Sequence, residues 1–135
     1  MSGFLGPMEM APTGSTGNNT HAGVGCSPGA TREAAVLVIE AVGATPTISI
    51  KLQATLDPPN ISDASAKWFD VAFMLPASGA IAAPVEQSVV MVQTAIGAFP
   101  MYLSQRHTRF ARRLRVVTSA NTNVTYRAEY HAQHG

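Results

Sequence analysis

Apolar and polar side chains alternate along residues 47 to 57 of this 135-residue chain. The apolar set consists of Ile48, Ile50, Leu52, Ala54 and Leu56, and the polar set consists of Thr47, Ser49, Lys51, Gln53 and Thr55. Successive side chains of a β-strand point to opposite faces of a sheet, so this period of two predicts a strand with one buried face. A chain in which the pattern recurs must build its core from sheet.

Further segments with strand character are separated by residues that favour turns. They are residues 34 to 42, 67 to 75, 87 to 94, 108 to 118 and 123 to 131, with a seventh candidate at 101 to 104. We expect Gly43-Ala44-Thr45-Pro46 to form a turn between the first two strands, and residues 119 to 122 to close a hairpin between the last two. No segment predicts a long helix. The predicted fold class is therefore all-β, an antiparallel β-sandwich of Ig-like or jelly-roll type.

The first 32 residues contain seven of the eleven glycines and three of the nine prolines, without any periodic apolar pattern. Such a segment buries too little apolar surface to offset its backbone entropy. We therefore predict an extended N-terminal arm over residues 1 to 32 that becomes ordered on another protein surface, followed by a sandwich domain over residues 33 to 135. The apolar residues at the start of the arm are expected to anchor it in a neighbouring subunit, and these are Phe4, Leu5, Met8 and Met10.

Charged residues make up only 13% of the chain, and the net charge is +1. An average soluble domain has roughly 25% charged residues, so small polar residues must cover much of this surface, which suits packing against other proteins. The net charge gives no general attraction to nucleic acid, and no apolar run approaches the roughly 20 residues of a membrane helix. Residues 1 to 10 lack the pattern of a secretory signal. We expect protein partners, neither membrane nor nucleic acid, and no export.

Five arginines lie between residues 106 and 115. On a strand, Arg109, Arg113 and Arg115 would share the outward face while Phe110, Leu114 and Val116 face the core. Guanidinium groups pair with carboxylates and phosphates, so the outward arginines could pair with Glu129 across the strands or with the carboxylates of other chains. We expect them to form an intersubunit contact. A solvated face and a nucleic-acid contact are the alternatives.

No catalytic arrangement is recognisable in the sequence. No nucleophile with a neighbouring base and no phosphate-binding loop is present, the single Cys26 has no partner, and His131 and His134 have no third metal ligand nearby. We predict a protein that is not an enzyme and has no metal ion or cofactor. Trp68-Phe69-Asp70 could present an aromatic platform for sugar rings, although such a pair more often fills a core.

Several of these segments together resemble small β-sandwich virion proteins of tailed bacteriophages. The likeness covers residues 33 to 131. It rests on residues 35 to 40, on a hairpin-like G-x-T-P segment starting at Gly43, on Trp68-Phe69-Asp70, and on Arg113-Leu114-Arg115-Val116 before the last strand. The chain departs from that group at Pro58-Pro59, where the group has a Gly-rich turn.

The resemblance implies a capsid decoration (cementing) protein that is made in the bacterial host cytoplasm and located on the capsid surface of the virion. Its partners would be the major capsid protein and neighbouring copies of itself, in a homo-oligomer for which a trimer is favoured. The arm would clamp subunits together, with Arg109, Arg113 and Arg115 as a second contact. Two alternatives are a neck or tail structural component and a carbohydrate-binding or host-surface adhesion module.

Overall fold

The computed structural model describes residues 3 to 26, 30, 32 to 75, 85 to 104 and 108 to 134, and the side chains of these except residues 3 to 6, 85 to 88 and 134. These described residues form nine strands: β1 (Gly3–Ser15), β2 (Val24–Gly25), β3 (Arg32–Thr55), β4 (Trp68–Val71), β5 (Phe73–Leu75), β6 (Val85–Ser88), β7 (Met91–Gln93), β8 (Gly97–Leu103) and β9 (Arg113–His134). They form one sheet in the order β1-β9-β3-β8-β5-β6, with β2 also on β9 and with β4 and β7 also on β3. All described pairings are antiparallel.

The all-β prediction is confirmed: strands make up 69% of the structure. The Ig-like or jelly-roll type of the sandwich stays a prediction. The strand predicted over residues 67 to 75 divides at Ala72 into β4 and β5, because β4 pairs with β3 whereas β5 pairs with β8 and β6.

The two longest strands, β3 and β9, pair along almost their whole length. The ladder runs from Arg32 opposite Gln133 to Thr55 opposite Arg113. The prediction that residues 119 to 122 close a hairpin was therefore wrong, and residues 43 to 46 do not separate two strands as the predicted turn would. Both segments lie inside long strands, at the same level of the ladder, where the register shifts. A hairpin requires adjacent segments to pair, and here each segment pairs with one far away in sequence.

The turn-forming residues instead produce a bend in both strands. Thr45, Ala120 and Asn123 have positive φ angles of 44°, 50° and 55°. This left-handed conformation is unusual for residues other than glycine and is typical of bulges, which bend and twist a strand. The turn-forming residues therefore do interrupt regular strand geometry. They produce a bend within each strand, however, and do not end the strand as predicted.

The bend folds β3 back on itself. The Thr108 hydroxyl donates to the Glu33 carboxylate at 2.9 Å, and the Arg112 amide donates to the Thr55 carbonyl at 2.8 Å. Four residues of chain span at most about 14 Å, whereas 22 residues of straight strand would span about 70 Å. The two ends of β3 must therefore lie near each other, and β9, paired with β3 throughout, follows the same path.

The ladder thus has two halves. The first layer contains residues 32 to 42 of β3 and residues 124 to 134 of β9, together with β1, β8, β5 and β6. The second layer contains residues 47 to 55 of β3 and residues 113 to 119 of β9, together with β2, β4 and β7. The inward side chains of both layers belong to one core.

The core confirms the alternation in both long strands. The largest fully buried side chains are Tyr126, Tyr130, Leu37, Ile39, Ile48, Ile50, Leu52, Met91, Met101, Leu114, Val71 and Val116. Two residues predicted on buried faces are exposed. Leu56 follows the last residue of β3, and Phe110, which is 72% exposed, precedes β9. Both lie outside the ladder, so the pleat of the sheet does not direct their side chains inward.

The N-terminal segment differs most from its prediction. Residues of β1 pair with β9 from Gly3 opposite His134 to Ser15 opposite Tyr126, and β2 pairs with the first residues of β9. The expectation that residues 1 to 32 need another protein surface to become ordered was therefore wrong for β1 and β2. The free edge of β9 supplies the hydrogen-bond partners that such a segment lacks by itself. The division of the chain at residue 32 into an arm and one sandwich domain stays a prediction.

A buried hydroxyl network fixes the chain between β1 and β2. The fully buried Tyr126 hydroxyl lies 2.7 Å from Nε2 of His21 and 2.9 Å from Oγ1 of Thr118, and it accepts a hydrogen bond from Nδ2 of the Asn19 side chain at 3.2 Å. Backbone hydrogen bonds from His21 to Val116 and from Thr118 to Asn19 support it. Burial lowers the pKa of His21 below its ordinary value of 6.5.

The lowered pKa of His21 predicts a loss of stability in acid. Because the unfolded chain binds the proton more readily, the contribution is complete above about pH 6.5 and is lost as the pH falls from there through the pKa of the folded state. We expect the free energy of unfolding, measured with guanidinium chloride between pH 7.5 and 5, to decrease by at most about 1.4 kcal/mol per pH unit from this group.

The His21→Gln variant is the control for this pH effect. Glutamine can still donate to the Tyr126 hydroxyl but does not titrate, so its stability should fall less steeply over the same range. Equal slopes for the variant and the parent chain would show that His21 does not cause the loss.

Candidate functional site

Asp63 lies in the loop between β3 and β4 and connects three parts of the chain. Its carboxylate accepts hydrogen bonds from Nη1 of Arg113 at 2.5 Å and from the Gly23 amide at 2.7 Å. Its backbone carbonyl accepts from Nε1 of Trp68 at 2.8 Å. We call Gly23, Asp63, Trp68, Arg113 and Arg115 the Asp63 cluster. It links the N-terminal segment, the loop, β4 and β9 on the outside of the second layer.

Arg115 extends this cluster toward β3 and β4. Its guanidinium carbon lies 4.0 Å from the centre of the Trp68 ring, and its Nε donates to Gln53 at 2.9 Å. Gln53 in turn donates to Asp70, which also forms an ion pair with Lys51 at 3.4 Å. Burial lowers the pKa of Arg115, and the hydrogen bond from Gln53 is the main cause that lowers the pKa of Asp70.

The predicted contacts of Arg113 and Arg115 with Glu129 are not formed. Both arginines lie in the second layer, whereas Glu129 lies in the first layer and pairs with Arg127 and His131. Their described contacts are within the chain, so neither guanidinium projects freely toward a partner. The position of the Asp63 loop, which supplies their contacts, was not predictable from strand alternation.

Arg113 depends on Asp63 for its charge compensation. Its side chain is only 12% exposed, and its Nε and Nη2 are buried without a hydrogen-bond partner in the described structure. The guanidinium also lies 5.6 Å from the centre of the Trp68 ring. A buried cation with one carboxylate partner becomes strongly destabilising when that partner is removed.

Trp68 is engaged by its own chain. Its indole nitrogen donates to Asp63, its ring contacts Arg115, and a β-carbon added at Gly23 would lie 2.8 Å from its Cη2 atom. A platform for a sugar ring needs an open aromatic face, and the guanidinium of Arg115 covers one face here. The carbohydrate interpretation stays a prediction without support from this geometry.

The predicted anchors of the N-terminal segment separate into different environments. Met10 is 3% exposed and packs in the core of its own chain, so it cannot seat in a neighbour's pocket. Met8 is exposed. The side chains of Phe4 and Leu5 lie outside the described residues. Arg109 is exposed, with its guanidinium 5.4 Å from the centre of the Phe110 ring.

Among the described side chains, the longest run of exposed apolar residues surrounds β7, and it was not recognised from the sequence. Within residues 89 to 96, four large apolar side chains are between 47% and 63% exposed, and these are Val89, Val90, Val92 and Ile96. Only Met91 is buried there, opposite Ile50. The prediction of one strand over residues 87 to 94 implied a buried face. Because these apolar residues do not alternate with polar ones, the sequence did not show which of their side chains face outward.

The described ranges also contain groups that bear on metal binding, membrane insertion and thiol reactivity. In that part of the chain, no three His, Cys, Asp or Glu side chains are grouped closely enough to hold a metal ion, and no helix is long and apolar enough to cross a membrane. Burial, with a contribution from the nearby Glu33, raises the pKa of the Cys26 thiol to about 12. Cys26 therefore has the character of an unreactive structural thiol.

Comparison with known proteins provides no relative. No protein-family model matches the chain, and neither a curated protein nor a solved structure matches it. The functional interpretation therefore depends on the sequence and on the contacts described above.

Removal of the Asp63 carboxylate should destabilise the fold. We expect Asp63→Ala to lower the free energy of unfolding by about 3 kcal/mol, because the buried Arg113 loses its only carboxylate partner in the described structure. The matched control is Asp70→Ala, whose ion pair with Lys51 is exposed and should contribute less than about 1 kcal/mol. Equal losses in guanidinium chloride unfolding would contradict the role of Asp63.

The Cys26 thiol should react slowly in the folded protein. With a pKa near 12, its thiolate fraction at pH 8 is on the order of a thousand-fold below that of an ordinary cysteine, so labelling by a disulfide reagent should slow accordingly. Ser62→Cys in a Cys26→Ser background provides an exposed thiol for comparison. Similar labelling rates at the two positions would show that Cys26 is accessible and ionised.

Proposed function

We propose that this chain is a non-enzymatic structural protein of a tailed-phage virion that binds the capsid surface as a decoration protein. The observation that carries the proposal is the exposed apolar segment over residues 89 to 96. Clustered apolar side chains on a soluble surface are typical of protein interaction sites, since each remains in contact with water until a partner covers it. The major capsid protein would provide that partner surface.

The low charge of the chain supports the same role. With 13% charged residues, the surface can be covered by another protein without the desolvation of many ions. We choose a phage virion among possible protein assemblies because the sequence of residues 33 to 131 resembles small β-sandwich virion proteins. The all-β architecture is compatible with this choice but does not select it.

The proposed attachment does not use the N-terminal arm that the resemblance implies. Because β1 and β2 belong to the sheet of their own chain, attachment would depend mainly on residues 89 to 96. Met8 and Arg109, which are exposed, would add secondary contacts, whereas Met10, Arg113 and Arg115 would stabilise the domain itself.

Binding to particles assembled without this chain tests the proposal. In co-sedimentation, Val92→Asp and Ile96→Asp should each weaken binding at least about tenfold, because a carboxylate would be desolvated at the contact. Asn60→Asp is the matched control, since Asn60 is exposed in the loop between β3 and β4, outside residues 89 to 96, and should tolerate the charge.

The location of the chain provides a separate check. Immunogold labelling of purified virions should place it on the head. Labelling confined to the neck or tail would replace the decoration role with another structural role, and absence from virions would end the proposal. Unchanged binding of both aspartate variants would exclude residues 89 to 96 as the attachment site.

A further inference from the structure

The outer face of the first layer is apolar across two neighbouring strands. Strand register places residues of β3 opposite residues of β8, and directly opposite residues point to the same face of an antiparallel pair. The outward pairs are Ala34 with Tyr102, Val36 with Pro100, and Val38 with Ala98. Their neighbours Ala35, Leu37 and Ile39 are buried in the core. We call these six outward residues the first-layer face.

The two halves of β3 provide an internal comparison. The half in the second layer also buries alternate residues, but its outward residues are polar, and these are Thr47, Ser49, Lys51 and Gln53. The folding of β3 therefore does not require an apolar outer face. A strand that is apolar on both faces is typical of a strand with both faces buried. The first-layer face has the composition of a surface that another protein covers.

An exposed ring and a cleft lie side by side at one end of the first-layer face. Tyr102 is 46% exposed, and Ala34 lies between Tyr102 and His131 on the neighbouring strands. A cleft of about 340 Å³ is found there, lined also by Arg32 and Gln133. A projecting ring beside a hollow lets two identical faces fit together, with each ring entering the other hollow.

The charges beside the face also suit a second copy. Glu129 and Arg127 on β9 point to the same outer side, opposite Val36 and Val38, and they contact each other. Glu9 lies opposite Glu129 on β1, and Glu40 lies 4.0 Å from Arg127. A rim that contains both signs can pair with an identical rim after a two-fold rotation, whereas a rim of one sign would repel its copy.

We infer that two copies of this chain pack their first-layer faces together about a two-fold axis. The contact would have an apolar centre over β3 and β8 and a charged rim over β9, which is the usual arrangement of a stable interface. Two sheets would then face each other at about 10 Å. This inference does not rest on the proposed virion role, and it gives a dimer where the resemblance favours a trimer.

The oligomeric state of the full chain tests the inference. Sedimentation equilibrium should give a dimer for the parent chain and a monomer for Val36→Lys, which places an ammonium group in the centre of the contact. The matched control is Val117→Lys, since Val117 is half-buried on the outer face of the second layer, opposite Lys51. This variant should remain a dimer, and circular dichroism should show the same fold for all three proteins.

A second substitution guards against a folding defect in Val36→Lys. Tyr102→Ser removes an exposed ring without entering the core, and it should weaken the dimer at least tenfold. A parent chain that is monomeric up to about 100 µM, a trimer, or a dimer unchanged in Tyr102→Ser would each overturn the inference. If the parent chain is a monomer, the protein that covers the first-layer face is not a second copy of this chain.

Discussion

The antiparallel ladder between β3 and β9 is the interaction on which the rest of the structure depends. β1 and β2 attach to one side of it, and β4, β7 and β8 attach to the other, so each of these strands takes its position from the ladder. The bend at Thr45, Ala120 and Asn123 then turns one ladder into two layers with a common core. Because the paired segments are far apart in sequence, the loop-closure entropy must be overcome before these contacts can stabilise the chain.

The sequence predicts what each residue does within its strand better than it predicts which strands meet. Ile48, Ile50 and Leu52 are buried as expected, since alternation is a local consequence of the pleat. The position of Thr45 at a bend within β3 was not predictable in the same way. Its positive φ suits a hairpin turn and a bulge equally, and the choice depends on where β9 lies. Pairing between distant segments leaves no local pattern in a single sequence.

For the candidate site residues too, the sequence predicted the direction of the side chains but not their partners. Arg113 and Arg115 point away from the core as the alternation indicated, but their contacts come from a loop whose path alternation does not define. For the N-terminal segment, glycine content predicted that ordering needs a partner surface. The prediction failed by assuming a partner in another subunit, because the exposed edge of β9 provides one in the same chain. Composition indicates that a partner is needed, whereas topology determines which partner is used.

Intrinsic strand preference does not account for the apolar outer face of the first layer. Val36 and Val38 are β-branched and favour strands, but threonine has a similar preference and occupies the outer face of the same strand at Thr47. Nor does the core require valine there, since both side chains point away from it. An apolar side chain left half in water yields only part of its burial free energy. A second surface that removes the remaining water gives these residues a physical role that the isolated fold does not.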